Sequence, residues 1–105
     1  MRFIETPIFT RTVVEFLDDE DYRALQLALL MRPELGPLLR RSGGLRKIRW
    51  SVPGQGKRGG LRVIYYWDEA TETFYMLYVY PKNEQEDLSA KQLRVLRRLV
   101  SEEFG

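Results

Sequence analysis

Three strand-like segments follow one another between residues 45 and 80, with only short loops between them. Leu45 to Val52 and Leu61 to Trp67 both alternate, and the first carries its polar side chains on one face: Lys47, Arg49 and Ser51. Phe74 to Tyr80 is apolar throughout, as in a central strand covered on both faces. Short loops join antiparallel strands, whereas parallel strands need a longer crossover. The pattern therefore predicts a three-stranded antiparallel meander.

Helical patterns flank this meander on both sides. Thr6-Pro7 suits a helix start, and apolar residues follow at helical spacing: Phe9, Val13, Phe16 and Leu17. The acidic run Asp18–Asp21 opens a second helix, because acids favour the positive N-terminal end of a helix. Its predicted inner stripe is Tyr22, Leu25, Leu29 and Met31. Ser89-x-x-Gln92 is a capping box that opens a last helix.

The predicted fold class is α+β, in one domain spanning residues 1–105: a small antiparallel sheet packed against two N-terminal helices and a C-terminal helix. A short extra strand is predicted at Arg2–Glu5. The longest apolar run is far shorter than the ~20 residues of a membrane span, and the first residues do not resemble a signal peptide. We therefore expect a cytoplasmic protein.

The chain has no cysteine and no histidine. These absences exclude disulfides, thiolate zinc sites, cysteine nucleophiles and imidazole acid–base chemistry. Any catalysis must use lysine, arginine, tyrosine, a carboxylate or serine, or a carboxylate-bound metal. We predict no cofactor and no metal site, since consecutive acids such as those at 18–21 point in different directions on a helix.

Positive charge is concentrated in the middle of the chain. The net charge is −3 over residues 1–39, +8 over residues 40–66, which contain no acid, and −3 over residues 67–105. A basic stretch of this kind predicts a surface that binds a polyanion. Within it, Gly54-x-Gly56-x-x-Gly59 matches a dinucleotide-binding fingerprint, but a strand follows it where that motif requires a helix. A flexible hairpin loop is the better interpretation.

The predicted strands bring several cations together. Lys47 and Arg49 share a face of one strand, Arg62 lies on the next, and the loop between them contributes Lys57 and Arg58. Neighbouring strands lie ~4.8 Å apart, so these cations could span one or two phosphates. Further in-phase residues follow on the third strand: Tyr78, Tyr80 and Lys82. Tyrosines beside cations suit stacking on unpaired bases, although they could equally pack in the core.

Three segments resemble the RelE/HigB toxins of bacterial type II toxin–antitoxin pairs. They are Gly44-Leu45-Arg46-Lys47-Ile48-Arg49-Trp50, Gly60-Leu61-Arg62-Val63-Ile64-Tyr65-Tyr66, and Tyr78-Val79-Tyr80-Pro81-Lys82-Asn83-Glu84 with Asp87-Leu88-Ser89. The resemblance implies a microbial RNase-like fold and an enzyme that cleaves translated mRNA in the ribosomal A site. It also implies a cognate antitoxin, helix-turn-helix and HigA-like, through which contact with DNA would be indirect.

The resemblance also implies site residues. Lys47, Arg49 and Arg62 match the family's basic residues, and Lys82 falls where some relatives have one. Some members carry a tyrosine where this chain has Leu88, a departure from the pattern. We predict that Arg46, Lys57, Arg58, Tyr78 and Tyr80 contact RNA.

RNA cleavage without a metal needs a base for the 2′-OH proton, cations for the phosphorane and an acid for the 5′ oxygen. We expect Lys47 or Lys82 to move protons while Arg49 and Arg62 hold the phosphate. Glu84 is a competing base. The alternative for the acids at 84, 86 and 87 is a favourable position before a helix N-terminus. Two other functions remain open: a ParE-like gyrase inhibitor without catalysis, and an inactive module that binds RNA or a partner.

Overall fold

The computed structural model describes residues 1–51 and 60–104. Within those residues, four strands and three helices follow in the order β1 (Arg2–Glu5), α1 (Pro7–Phe16), α2 (Asp19–Met31), β2 (Leu45–Trp50), β3 (Leu61–Asp68), β4 (Thr73–Pro81) and α3 (Ala90–Phe104). The strands form one sheet in the order β1-β4-β3-β2. The α+β class and the central position of β4 are confirmed. No helix in the described part of the chain is long and apolar enough to cross a membrane.

The meander is antiparallel, as predicted, but β1 pairs with β4 in parallel. The sheet is therefore mixed and not wholly antiparallel. Parallel pairing is possible here because the whole of α1, α2, β2 and β3 separates the two strands along the chain. Short-range patterns could predict that β1 is a strand but not which neighbour it joins.

The two faces of the sheet are buried by different helices. One face packs on α1 and α2, with a core that includes Phe9, Leu25, Leu29, Val63, Tyr65 and Phe74. The other face packs on α3, with a core made of Leu45, Ile64, Leu77, Tyr80, Leu96 and Val100. This second face, which we call the α3 face, carries the candidates Lys47, Arg49 and Arg62. The predicted helix stripes are confirmed except at Met31, which is 87% exposed because α2 ends there.

Local capping signals fix the helix starts. Asp18 caps α2 by accepting a 2.7 Å hydrogen bond from the Asp21 amide. Ser89 and Gln92 form the predicted capping box: the Ser89 hydroxyl accepts from the Gln92 amide at 3.1 Å, and the Gln92 side chain accepts from the Ser89 amide at 2.9 Å. This box sets where α3 begins and so determines the path of the segment between β4 and α3, residues 82–89.

Candidate active site

Two arginines face each other near the loop end of the basic hairpin formed by β2 and β3. Arg49 on β2 is the register partner of Arg62 on β3, and Arg62 is in turn the partner of Tyr80 on β4. Lys47 lies two residues before Arg49 and therefore on the same α3 face. The strand register therefore brings these three cations together on neighbouring strands, as predicted.

Arg62 is the fixed member of the group, because only 6% of the residue is exposed. Its Nη2 lies 3.0 Å from each carboxylate oxygen of Glu86, and its Nη1 donates weakly to the Leu61 carbonyl at 3.4 Å. Its Nε is buried and has no hydrogen-bond partner among the described residues. A buried donor without an acceptor is costly. The Nε–H of Arg62 is therefore available to donate to one more oxygen.

Lys82 joins the group from the end of β4. A Cβ placed on Gly60 would lie 3.6 Å from Lys82 Cδ and 3.8 Å from Arg62 Nη1, so both side chains pass over this glycine. Lys82 itself is exposed. We call Lys47, Arg49, Arg62 and Lys82 the cation cluster. It lies at the end of the α3 face, just beyond the N-terminus of α3.

Two acids from the segment before α3 contact the cluster. Lys47 Nζ donates to Asp87 Oδ1 at 2.6 Å, and Glu86 Oε1 lies 3.6 Å from Arg49 Nη2 besides its contact with Arg62. The hydrogen bond from Arg62 lowers the pKa of Glu86, and the hydrogen bond from Lys47 lowers the pKa of Asp87. We call Glu86 and Asp87 the carboxylate pair.

The sequence patterns predict for these two acids only a position before a helix. In the structure α3 is capped by Ser89, and both carboxylates contact strand cations. One feature of the sequence indicates the contact: Glu86 and Asp87 follow Lys82 by only a few residues. The short segment that carries them must cross the end of the sheet to reach α3. Glu84, the candidate base, is exposed, and its side chain makes no hydrogen bond or ion pair within residues 1–51 and 60–104.

Arg46 does not belong to the cluster. It precedes Lys47 and so points to the opposite face of β2, where Nη1 donates to the Gly36 carbonyl at 2.8 Å and Nη2 lies 3.8 Å from Glu34. Arg46 therefore does not share a surface with Lys47, because adjacent strand residues face opposite ways, and its contact with RNA stays a prediction. Its contacts instead fasten the loop before β2.

Tyr78 and Tyr80 lie on the same face of β4, as predicted, and their ring centroids are 5.7 Å apart. Tyr80 is only 2% exposed and donates to the Glu86 carbonyl at 3.2 Å, and its burial raises the pKa to about 12. Its expected role as a stacking platform is wrong, because the ring is a core side chain. Tyr78 is half-buried, receives a 3.3 Å hydrogen bond from Gln92, and borders a cavity of about 270 Å³ with Ile8 and Val95.

Several predicted features lie outside the described residues: the candidates Lys57 and Arg58, the glycine fingerprint, and Val52 at the end of the predicted strand.

A family model described as the RelE toxin of the RelE/RelB toxin–antitoxin system matches residues 39–104. The chain belongs to the RelE toxin family. In this RelE toxin the matched range begins before β2 and contains the whole of β2, β3, β4 and α3, with the complete cation cluster and the carboxylate pair. As a RelE toxin, the chain is the toxin of a toxin–antitoxin system and pairs with an antitoxin.

Proposed function

We propose that this RelE toxin is a ribosome-dependent endoribonuclease that cleaves mRNA in the ribosomal A site. The observation that carries the proposal is the cation cluster, in which Arg49 and Arg62 face each other and Lys47 and Lys82 adjoin them. A phosphate bound between two guanidinium groups would have its developing negative charge stabilised as the phosphorane forms. Membership in the RelE family supports the same chemistry.

The contacts distinguish the two lysines that were candidates for proton transfer. Lys47 is held by Asp87 at 2.6 Å, and only 12% of its side chain is exposed, so proton loss from Nζ would break a charge-assisted hydrogen bond. Lys82 is exposed and lies beside Arg62 over Gly60. We therefore assign proton transfer to Lys82 and phosphate binding to Lys47, Arg49 and Arg62. Among the described residues, the side chain of Glu84 takes part in none of these contacts.

The reaction would be an internal transesterification. The 2′ oxygen of the ribose gives up its proton to solvent water and attacks the neighbouring phosphorus, and the bond from phosphorus to the 5′ oxygen breaks. The 5′ oxygen takes a proton as it leaves, so the products are a 2′,3′-cyclic phosphate and a 5′ hydroxyl. Lys82, as an ammonium group, is suited to protonate that leaving oxygen.

We also propose that the cognate antitoxin is HigA-like with a helix-turn-helix domain, that DNA contact is made through it, and that the toxin acts in the cytoplasm. The support is the family resemblance and the toxin's pairing with an antitoxin. Co-expression of toxin and the antitoxin should give a complex that binds the operator DNA of the pair. Toxin purified without the antitoxin should not bind that DNA.

The decisive experiment uses a purified translation system with a defined mRNA, with and without ribosomes, followed by mapping of the cut ends. We expect cuts within codons only when ribosomes are present. Arg49→Ala should lower the rate by roughly 10²–10³-fold, as for loss of one transition-state donor. Its side chain is 71% exposed, so this change should not affect folding, and Arg11→Ala on the exposed side of α1 is the matched control.

Three results would contradict the proposal in different ways. Equal rates for Arg49→Ala and the unchanged protein would remove the cluster from catalysis. Cuts without ribosomes would retain a nuclease and remove the A-site mechanism. No cuts from folded protein would favour the ParE-like gyrase inhibitor if gyrase is poisoned, or an inactive binding module if it is not.

A further inference from the structure

Three of the four cluster cations already hold a carboxylate in the protein alone. Asp87 is 2.6 Å from Lys47, and Glu86 is 3.0 Å from Arg62 and 3.6 Å from Arg49. Ion pairs of this kind are common on surfaces, but here the cations are the residues to which we assign phosphate binding. The two acids therefore stand where an RNA phosphate would have to bind.

The carboxylate of Glu86 makes an incomplete fit to Arg62. Both of its oxygens contact the single nitrogen Nη2, whereas a carboxylate that fits a guanidinium fully uses two nitrogens in parallel. The neighbouring Nε is left buried without a partner among the described residues. A phosphate has more oxygens to offer and can bind Nε as well, so it suits this guanidinium better than Glu86 does.

Two of the cations are fixed and the acids are peripheral. The side chains of Lys47 and Arg62 are 12% and 7% exposed and belong to sheet strands, while those of Glu86 and Asp87 are 49% and 75% exposed. Both acids lie between β4 and α3, outside either element. The backbone of Glu86 is held by the Tyr80 hydroxyl, so its side chain can leave Arg62 without moving the chain.

We propose that the carboxylate pair is a built-in competitor for RNA phosphate, which substrate must displace. This inference rests on the proposed function. It makes Glu86 and Asp87 specificity-determining residues: the competition weakens binding of RNA that is free in solution, and a substrate held in place by the ribosome overcomes it through its high local concentration.

The test is the isosteric double variant Glu86→Gln/Asp87→Asn, which removes two charges and keeps both side-chain shapes. The probe is a fluorescent single-stranded RNA whose 2′ positions are methylated so that it cannot be cleaved, and the readout is the dissociation constant by anisotropy. Partly exposed ion pairs are individually weak, so we expect about ten-fold tighter binding for the two together. Each single variant should give part of this gain.

The matched control is Glu15→Gln/Glu69→Gln, which changes the net charge equally at two exposed positions, one on α1 and one in the turn at the opposite end of β3 from Arg62. It should tighten binding by less than about two-fold, since it acts only through long-range charge. With an unmethylated RNA and no ribosome, the Glu86→Gln/Asp87→Asn protein should give detectable cuts, whereas the unchanged protein should give none.

The outcomes separate this inference from the proposed function. If Arg49→Ala weakens RNA binding but Glu86→Gln/Asp87→Asn binds like the unchanged protein, the competitor is refuted and the site stands. If Glu86→Gln/Asp87→Asn binds more weakly, the acids orient the cations for RNA and the inference is likewise refuted. If neither variant alters binding or ribosome-dependent cleavage, the cluster is not the RNA site and the proposed function fails first.

Discussion

The backbone amide of Lys82 donates a 2.9 Å hydrogen bond to the carbonyl oxygen of Gly60, one residue beyond the last register pair of β3 and β4, Leu61 and Pro81. The backbone of Lys82 is therefore fixed to the sheet while its side chain remains exposed beside Arg62. A proton-transferring group needs this combination, because its reacting atom must reach the substrate from a defined position.

Replacement of Lys82 by arginine should keep the charge and remove the proton transfer, because a guanidinium does not give up its proton in proteins. We expect the single-turnover rate of mRNA cleavage on ribosomes to fall roughly 10²–10⁴-fold, the usual contribution of general acid–base catalysis. Lys91→Arg, an equally exposed lysine on α3, should retain the full rate. A Lys82→Arg protein that cleaves normally would refute the assignment of proton transfer to Lys82.

Tyr80→Phe should leave cleavage within about two-fold of the unchanged rate, because burial raises the pKa of Tyr80 to about 12 and keeps the hydroxyl protonated near neutral pH. The change removes the hydrogen bond to the Glu86 carbonyl, which should lower the free energy of unfolding by about 1 kcal/mol in urea titrations. A loss of activity larger than ten-fold with unchanged stability would show that the hydroxyl takes part in the chemistry.

Stability at acid pH should depend on the carboxylate pair. Contacts with Arg62 and Lys47 lower the pKa of Glu86 and of Asp87, so folding favours the ionised acids. Their contribution is fully present above about pH 4.5 and is lost as the pH falls through the lowered pKa values. Urea unfolding between about pH 5 and pH 2 should therefore show a smaller acid-induced loss for Glu86→Gln/Asp87→Asn than for the unchanged protein. Parallel curves would contradict this, and Glu15→Gln/Glu69→Gln should follow the unchanged protein.

Thr6 connects β1, β4 and α1, so its hydroxyl should matter for stability. Thr6 Oγ1 donates to the Leu77 carbonyl at 2.8 Å and accepts from the Phe9 amide at 3.1 Å as the cap of α1. Thr6→Val should reduce the free energy of unfolding by about 1–2 kcal/mol. Thr6→Ser keeps the hydroxyl and should lose much less. Equal losses for the two variants would mean that the methyl group, and not the hydroxyl, provides the stability.

The features predicted well from the sequence are local. The helix start in the acidic run at 18–21 and the capping box at Ser89 depend on residues close along the chain, and the alternation of β2 and β3 depends on a period of two. The same alternation grouped Lys47, Arg49 and Arg62 correctly, because hairpin neighbours pair in simple register.

The features that were missed depend on longer-range contacts. The parallel partner of β1 and the reach of Glu86 and Asp87 to strand cations both need the path of the chain in space. The period that puts Lys47 in the cluster puts Arg46 on the other face of β2. For Tyr80, the strand alternation predicts which face the ring lies on but not whether the ring is exposed. That depends on α3, which covers this part of the face.

The parallel pairing of β1 with β4 also has a consequence for the order in which the molecule folds. Its register joins Arg2 to Thr73, and the bond from Thr6 to Leu77 spans 71 positions. During synthesis the first strand has no partner until residues 73–76 have been made, and closing so long a loop is entropically slow. The meander and α3 can assemble from nearer contacts, so we expect β1 to be the last strand to join the sheet. In hydrogen exchange its amides should be the first of the sheet to open.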